Sequence, residues 1–171
     1  MGSKRVWLGI FFVLAGFGLF LYWPGGPPEG LTIRQTDSLT LYEGLPHQND
    51  ERELFASEKK AKSTIELHGF PFYSETLALK PEDVDNLKAT LGDSQSYRPP
   101  SLDKKCGGFH PDFAVVWTVA GQQYICLVCF GCYEFRMFGL KAEQEYDMTS
   151  ASAGQLKRVL ASYRQNRPSH E

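Results

Sequence analysis

Phe113-Ala-Val-Val-Trp-Thr-Val119 and Gln123-Tyr-Ile-Cys-Leu-Val-Cys129 carry the densest strand signal in the chain, with a turn around Ala120-Gly121-Gln122 between them. Period-2 alternation puts Phe113, Val115, Trp117 and Val119 on one face of the first segment and Ala114 and Val116 on the other. Both faces are apolar, so these strands are expected at the centre of a sheet covered on both sides.

Working outward, residues 133–138 alternate again, and residues 64–68 and 72–79 alternate on either side of Gly69, which reads as two strands with a tight connection. Residues 31–42 are rich in Thr, Ile and Leu and suggest one or two short strands ended by Gly44 and Pro46. Asn49 is placed to cap a helix over 50–62, whose acidic start and lysine-rich end complement the helix dipole. Its inward face would be narrow: Leu54, Phe55, Glu58 and Ala61. Pro81 opens a second helix with Val84, Leu87, Ala89 and Leu91 inside and Gly92 at its end. Ser152-x-x-Gln155 has the form of a capping box ahead of Leu156, Val159, Leu160 and Tyr163, predicting a closing helix. Residues 93–108, with Pro99-Pro100 and Gly107-Gly108, show no periodicity and read as a long surface loop. The fold class expected is α+β, with one mainly antiparallel sheet and about three helices.

The amino terminus is of another kind. Residues 6–23 are eighteen apolar or glycine residues in a row behind Lys4 and Arg5. At helical rise they span about 27 Å, enough to cross a hydrocarbon core of about 30 Å with little tilt. Tyr22-Trp23-Pro24 closes the run where a cleavable signal would carry small residues, so an uncleaved anchor is expected rather than a signal peptide or a buried helix. Basic residues precede the run and none follows until Arg34, which keeps the amino terminus in the cytoplasm and sends the rest outside. The organisation expected is a cytoplasmic terminus (1–5), a single-pass transmembrane helix (6–23), a Pro/Gly stalk (24–30), an extracytoplasmic domain (31–165) and a polar tail (166–171). The chain contacts the membrane through residues 6–23, in a bacterial cytoplasmic membrane. With 18 basic and 20 acidic residues, two of the basic ones ahead of the span, nothing favours a nucleic-acid groove.

All four cysteines lie between Cys106 and Cys132, in Cys106-Gly-Gly-Phe-His110-Pro-Asp112 and Cys126-x-x-Cys129-x-x-Cys132. Cys126 and Cys129 point to opposite faces of an extended strand and should not pair. Gly131 could supply the positive φ of a type II turn that brings Cys129 and Cys132 together. Three readings compete. A structural disulfide outside the cytoplasm would join Cys129 to Cys132 or Cys106 to one of them. A zinc site would use Cys106, His110, Cys129 and Cys132. A thiol redox site would use the Cys-x-x-Cys pair, with the thiolate of Cys106 favoured by Lys104 and Lys105. Haem attachment is disfavoured, because Tyr133 stands where that motif needs histidine. His47, His68 and Asp112 are further candidates for a shared pocket. Asp112 is equally suited to bracing its loop, and a triad of Cys106, His110 and Asp112 is not supported by their local order.

The stretches Lys105-Cys-Gly-Gly-Phe-His-Pro-Asp112, Cys129-Phe-Gly-Cys132, Leu41-Tyr-Glu-Gly-Leu-Pro-His47 and His68-Gly-Phe-Pro-Phe-Tyr73 together resemble a group of uncharacterised bacterial proteins, often membrane-anchored or secreted. The likeness covers roughly residues 41–134 and implies no activity. It does imply that His47, His68, Cys106, His110, Cys129 and Cys132 are a set that converges, and it leaves Cys126 out. The function expected is a membrane-anchored extracytoplasmic binding or structural module with a disulfide-braced hairpin and no cofactor. The alternative is a zinc-binding or thiol-disulfide redox protein.

Overall fold

The computed structural model describes residues 27–101 and 106–167. Eight strands form one sheet: β1 (Leu39–Gly44), β2 (Thr64–Leu67), β3 (Phe70–Leu77), β4 (Tyr97–Arg98), β5 (Phe113–Val119), β6 (Gln122–Cys129), β7 (Glu134–Phe138) and β8 (Gln144–Met148). Their order is β2-β3-β1-β5-β6-β7-β8-β4, and every pairing is antiparallel. The helices are α1 (Arg52–Ala61), α2 (Pro81–Leu91) and α3 (Ser150–Leu160), so the α+β class holds. The expected span at 6–23 lies outside the described residues. Among the described residues, no helix is long and apolar enough to cross a membrane.

β5 and β6 sit in the middle, and the two faces of β5 enter different cores. Phe113, Val115 and Trp117 join Cys126, Val128 and the buried residues of α2 and α3, including Leu87, Leu91, Leu156 and Leu160. Ala114 and Val116 join Phe72, Ile125 and Leu127 on the opposite face. Among the described residues, no helix supplies a buried residue to that second core. Phe70, Phe109 and Phe138 pack over it instead, with the Arg136 guanidinium 4.3 Å above the Phe109 ring. The hairpin turns follow the sequence closely: His68 and Gly69 (φ 49° and 83°) and Ala120 and Gly121 (φ 50° and 80°) both have the left-handed pairs of a two-residue turn whose twist matches the strands.

Several elements depart from the sequence reading. Residues before β1 form a 3-10 turn, Glu29–Gln35, rather than a strand, and Glu29 and Gly30 are buried although the stalk was expected to reach residue 30. Gly30 is there because a Cβ would collide with the Tyr97 hydroxyl and Met137 Cε. α1 begins later than Asn49 would place it, since the amides of Asn49 and Asp50 donate to His47 Nδ1 (3.2 and 3.1 Å). That helix buries no residue fully: Leu54, Phe55 and Glu58 are half-buried and Ala61 is exposed. In α2, Ala89 faces solvent, and Thr90 is inside with its hydroxyl satisfied by the Asn86 carbonyl. The segment read as a long loop contains β4, which pairs Tyr97 with Met148 of β8, a strand not anticipated. α3 is capped by Thr149, whose side chain accepts from the Ser152 amide (3.3 Å), while Gln155 turns to Arg158 rather than back to the cap. Asn166 and Arg167, at the start of the polar tail, dock on Glu43.

Candidate functional site

The carboxyl end of β1 and the segment entering β5 cross at Gly44, where any Cβ would overlap the Pro111 carbonyl. Gly44 N donates to Asp112 O (2.8 Å), and Asp112 N donates to Val128 O (2.8 Å), so the segment before β5 is stitched to both neighbours. This crossing sets His47 against His110, with ring centroids 4.7 Å apart and planes tilted by 51°.

His47 is held from behind. Its amide donates to Glu51 Oε2 (2.7 Å), and Nδ1 already accepts two amides. The ring proton therefore belongs on Nε2, and the approach of Asp50 Oδ2 to Nδ1 at 3.4 Å is no ion pair in that tautomer. Glu51 pairs with Arg167, and Arg167 also reaches Asp112 Oδ1 (3.3 Å). Asp112 accepts from Arg164 (2.8 Å) and, through Oδ2, from the Phe130 amide (2.7 Å). A continuous polar chain thus runs from His47 through Glu51, Arg167 and Asp112 to the turn after β6. Asp112 braces the loop, as one of its two readings had it.

In its neutral form the His110 ring has one nitrogen that donates and one that accepts. Burial holds this imidazole below its ordinary value, and the Arg167 charge and His47 push the same way. The folded state therefore favours neutral His110. Its contribution to stability is full above the free-imidazole value of about 6.5 and is lost as pH falls below it, because the unfolded chain then binds the proton first. Thermal unfolding followed from about pH 8 to about pH 5 is expected to show a steeper fall in Tm for wild type than for His110→Asn. Parallel slopes would contradict this.

Of the pairings left open, the disulfide is Cys106–Cys132, with Cα atoms 5.3 Å apart. Cys129 is not bonded to Cys132, and Gly131 lacks the positive φ that pairing invoked; Tyr133 (φ 53°) takes the left-handed position instead. Cys132 Sγ also lies 3.2 Å from the Gly108 carbonyl, a contact only, since a disulfide sulfur carries no proton. Cys129 is a buried thiol whose sulfur accepts the backbone N–H of Cys132 (3.3 Å), and backbone amides of His110 and Gly131 favour its charged form. Burial pushes it up more than these amides lower it, and Asp112 adds to the rise. Cys126 is fully buried in the helix-side core, and desolvation alone pushes it far up, so it is inert. His68 is elsewhere, stacked on Phe138 at 3.8 Å. In this oxidised form two of the four expected zinc ligands are joined to each other. Among the described residues no group of three or more His, Cys, Asp or Glu is placed to hold a metal.

Two adjoining cavities meet at His47, Gly108 and His110. One, of about 220 Å³, is lined by Pro46, Phe55, Phe70, Pro71 and Phe109 together with Gln48 and Asn49. The other, of about 290 Å³, is lined by the disulfide, Cys129, Asp50, Glu51, Asp112 and Arg167. The sequence motifs pointed to His47, His110, Asp112 and the cysteines, but not to Glu51, Arg164, Arg167 or the Phe55 wall. A salt-bridge partner 116 residues away has no local signature. No family model, curated protein or solved structure matches this chain.

Proposed function

We propose that this protein is a membrane-anchored module that binds a small ligand outside the cytoplasm, in the two-lobed cleft divided by His47 and His110. The carrying observation is the 4.7 Å imidazole pair at the junction of an aromatic lobe and a charged lobe. Ligand sites commonly combine an apolar wall with a few convergent polar groups. The apolar run at 6–23 supplies the anchor, and a half-exposed disulfide suits an oxidising compartment. The Cys106–Cys132 bond is the brace that pins the 106–110 wall of the cleft to the turn after β6.

The charges select the ligand head group. Asp50, Glu51 and Asp112 outnumber Arg167 in the polar lobe, and neutral His110 offers an acceptor. A carboxylate head would meet net repulsion, whereas an amine or amide N–H would be accepted, with an aromatic or apolar group reaching the lobe of Phe55, Phe70 and Phe109. The test uses phenethylamine and phenylacetate as matched probes, with the imidazole carbons of the full chain observed by NMR in detergent. Phenethylamine is expected to shift the His47 and His110 signals saturably, phenylacetate to do so far more weakly, and His110→Ala to abolish the response. Equal responses to both probes, or shifts confined to His68 and other distant sites, would overturn the reading.

A further inference from the structure

Three cysteines line one lobe of the cleft, and only two of them are bonded. Cys129 ends β6 and Cys132 lies in the turn that follows, so the free thiol and the disulfide share one chain reversal. Cys129 Sγ is 3.3 Å from the backbone nitrogen of Cys132, whose own sulfur carries the bond to Cys106. All three cysteines line the same cavity as His110. The backbone N–H of Cys132 points at the Cys129 sulfur, a contact that stabilises a thiolate once the proton has left.

We infer that Cys129 and the Cys106–Cys132 disulfide form an internal thiol–disulfide exchange relay. The Cys129 thiolate attacks Cys132 Sγ; the Cys129–Cys132 bond forms as the Cys132–Cys106 bond breaks, and the electron pair leaves on Cys106. The proton lost by Cys129 is matched by one gained at Cys106, so one thiol and one disulfide stand on each side and no outside oxidant or reductant is needed. The consequence is positional. The original bond ties together residues 26 apart and anchors the stretch in which Cys106 lines the charged cavity, Gly107 the aromatic one and Gly108 both. The exchanged bond closes only the turn at the end of β6, releases that wall and presents the Cys106 thiol at the cleft mouth. The exchange goes beyond the ligand-binding reading and does not depend on it.

Native trapping tests it. The full chain, purified without reductant, is incubated folded with iodoacetamide and then mapped by peptide mass spectrometry without reduction. Alkylation pulls the equilibrium toward the exposed thiol, so the expected product carries the label on Cys106 with Cys129 bonded to Cys132. Cys129→Ser should lose that product entirely. The relay is overturned if label accumulates on Cys129 while Cys106–Cys132 stays intact, or if Cys106 is labelled as fast in Cys129→Ser as in wild type. Should the variant not fold, the wild-type map alone decides. Loss of phenethylamine binding would leave this map unchanged, so the two proposals fail separately.

Discussion

Replacing both Cys106 and Cys132 with alanine is expected to lower the unfolding free energy by about 3.5 kcal/mol, the chain-entropy value for a loop of this length. The bond spans 26 residues, and β5 and β6 lie inside that span, so the closed loop contains the two central strands themselves. Both cysteine side chains are only half-buried, so truncating them removes little packing, and the loss reports the cross-link. Urea denaturation of the full chain in detergent measures it. Reducing wild type should reproduce the loss, and the same reductant should leave the double variant unchanged. A loss below about 1 kcal/mol would mean that the loop is held by its hydrogen bonds alone. The damage should also be local before it is global, because the wall 106–108 has few other ties. Cys106 Sγ makes only a long 4.0 Å approach to the Gly108 carbonyl.

Glu43→Ala is expected to cost about 3 kcal/mol and to undock the carboxyl-terminal segment. The Glu43 side chain is 1% exposed, and its carboxylate accepts four N–H groups: from Gln165 N (3.1 Å), Asn166 N (2.8 Å), Asn166 Nδ2 (3.1 Å) and Arg167 N (2.9 Å). Alanine leaves those donors without an acceptor. It also frees Arg167, which in turn deprives Glu51 and Asp112 of their shared cation and loosens the support behind His47. Glu43→Gln keeps the shape and a neutral acceptor, so it should lose roughly half as much. Hydrogen exchange is the discriminating measurement. Fast exchange of the 165–167 amides in Glu43→Ala, with β5 and β6 still protected, is the expected pattern; undiminished protection at 165–167 would contradict the docking.

The surroundings of the disulfide and of Glu43 show where the sequence was readable and where it was not. β5 and β6 were legible as central strands because their apolar residues occupy both faces of a period-2 pattern, and no surface element can carry that. The turn at His68-Gly69 was legible because two adjacent left-handed residues need a glycine and a tolerant neighbour. Glu43 was not. It lies just past Leu41 and Tyr42, before the Gly44 and Pro46 that were read as ending the strand, and nothing nearby announces partners 122 to 124 residues away. Asn49 looked like a helix cap by composition, but His47 took the amides that would have started the helix there. The cysteines were legible as a cluster but not as a pairing. Cys129 and Cys132 have the spacing of a bonded turn, whereas the crossing at Gly44 delivers Cys106 to Cys132 and leaves Cys129 underneath, covered and hydrogen-bonded. Two residues of the zinc reading, Cys106 and Cys132, are joined to each other by the same crossing.

A connectivity map of the full chain, extracted without reductant and alkylated with N-ethylmaleimide under mildly acidic denaturing conditions, tests the account at its root. The bond expected in the great majority of molecules is Cys106 to Cys132, with Cys126 and Cys129 carrying the label. Four labelled cysteines would show that the brace does not form where the protein lives, and the cleft would lose the wall on which its ligand reading stands.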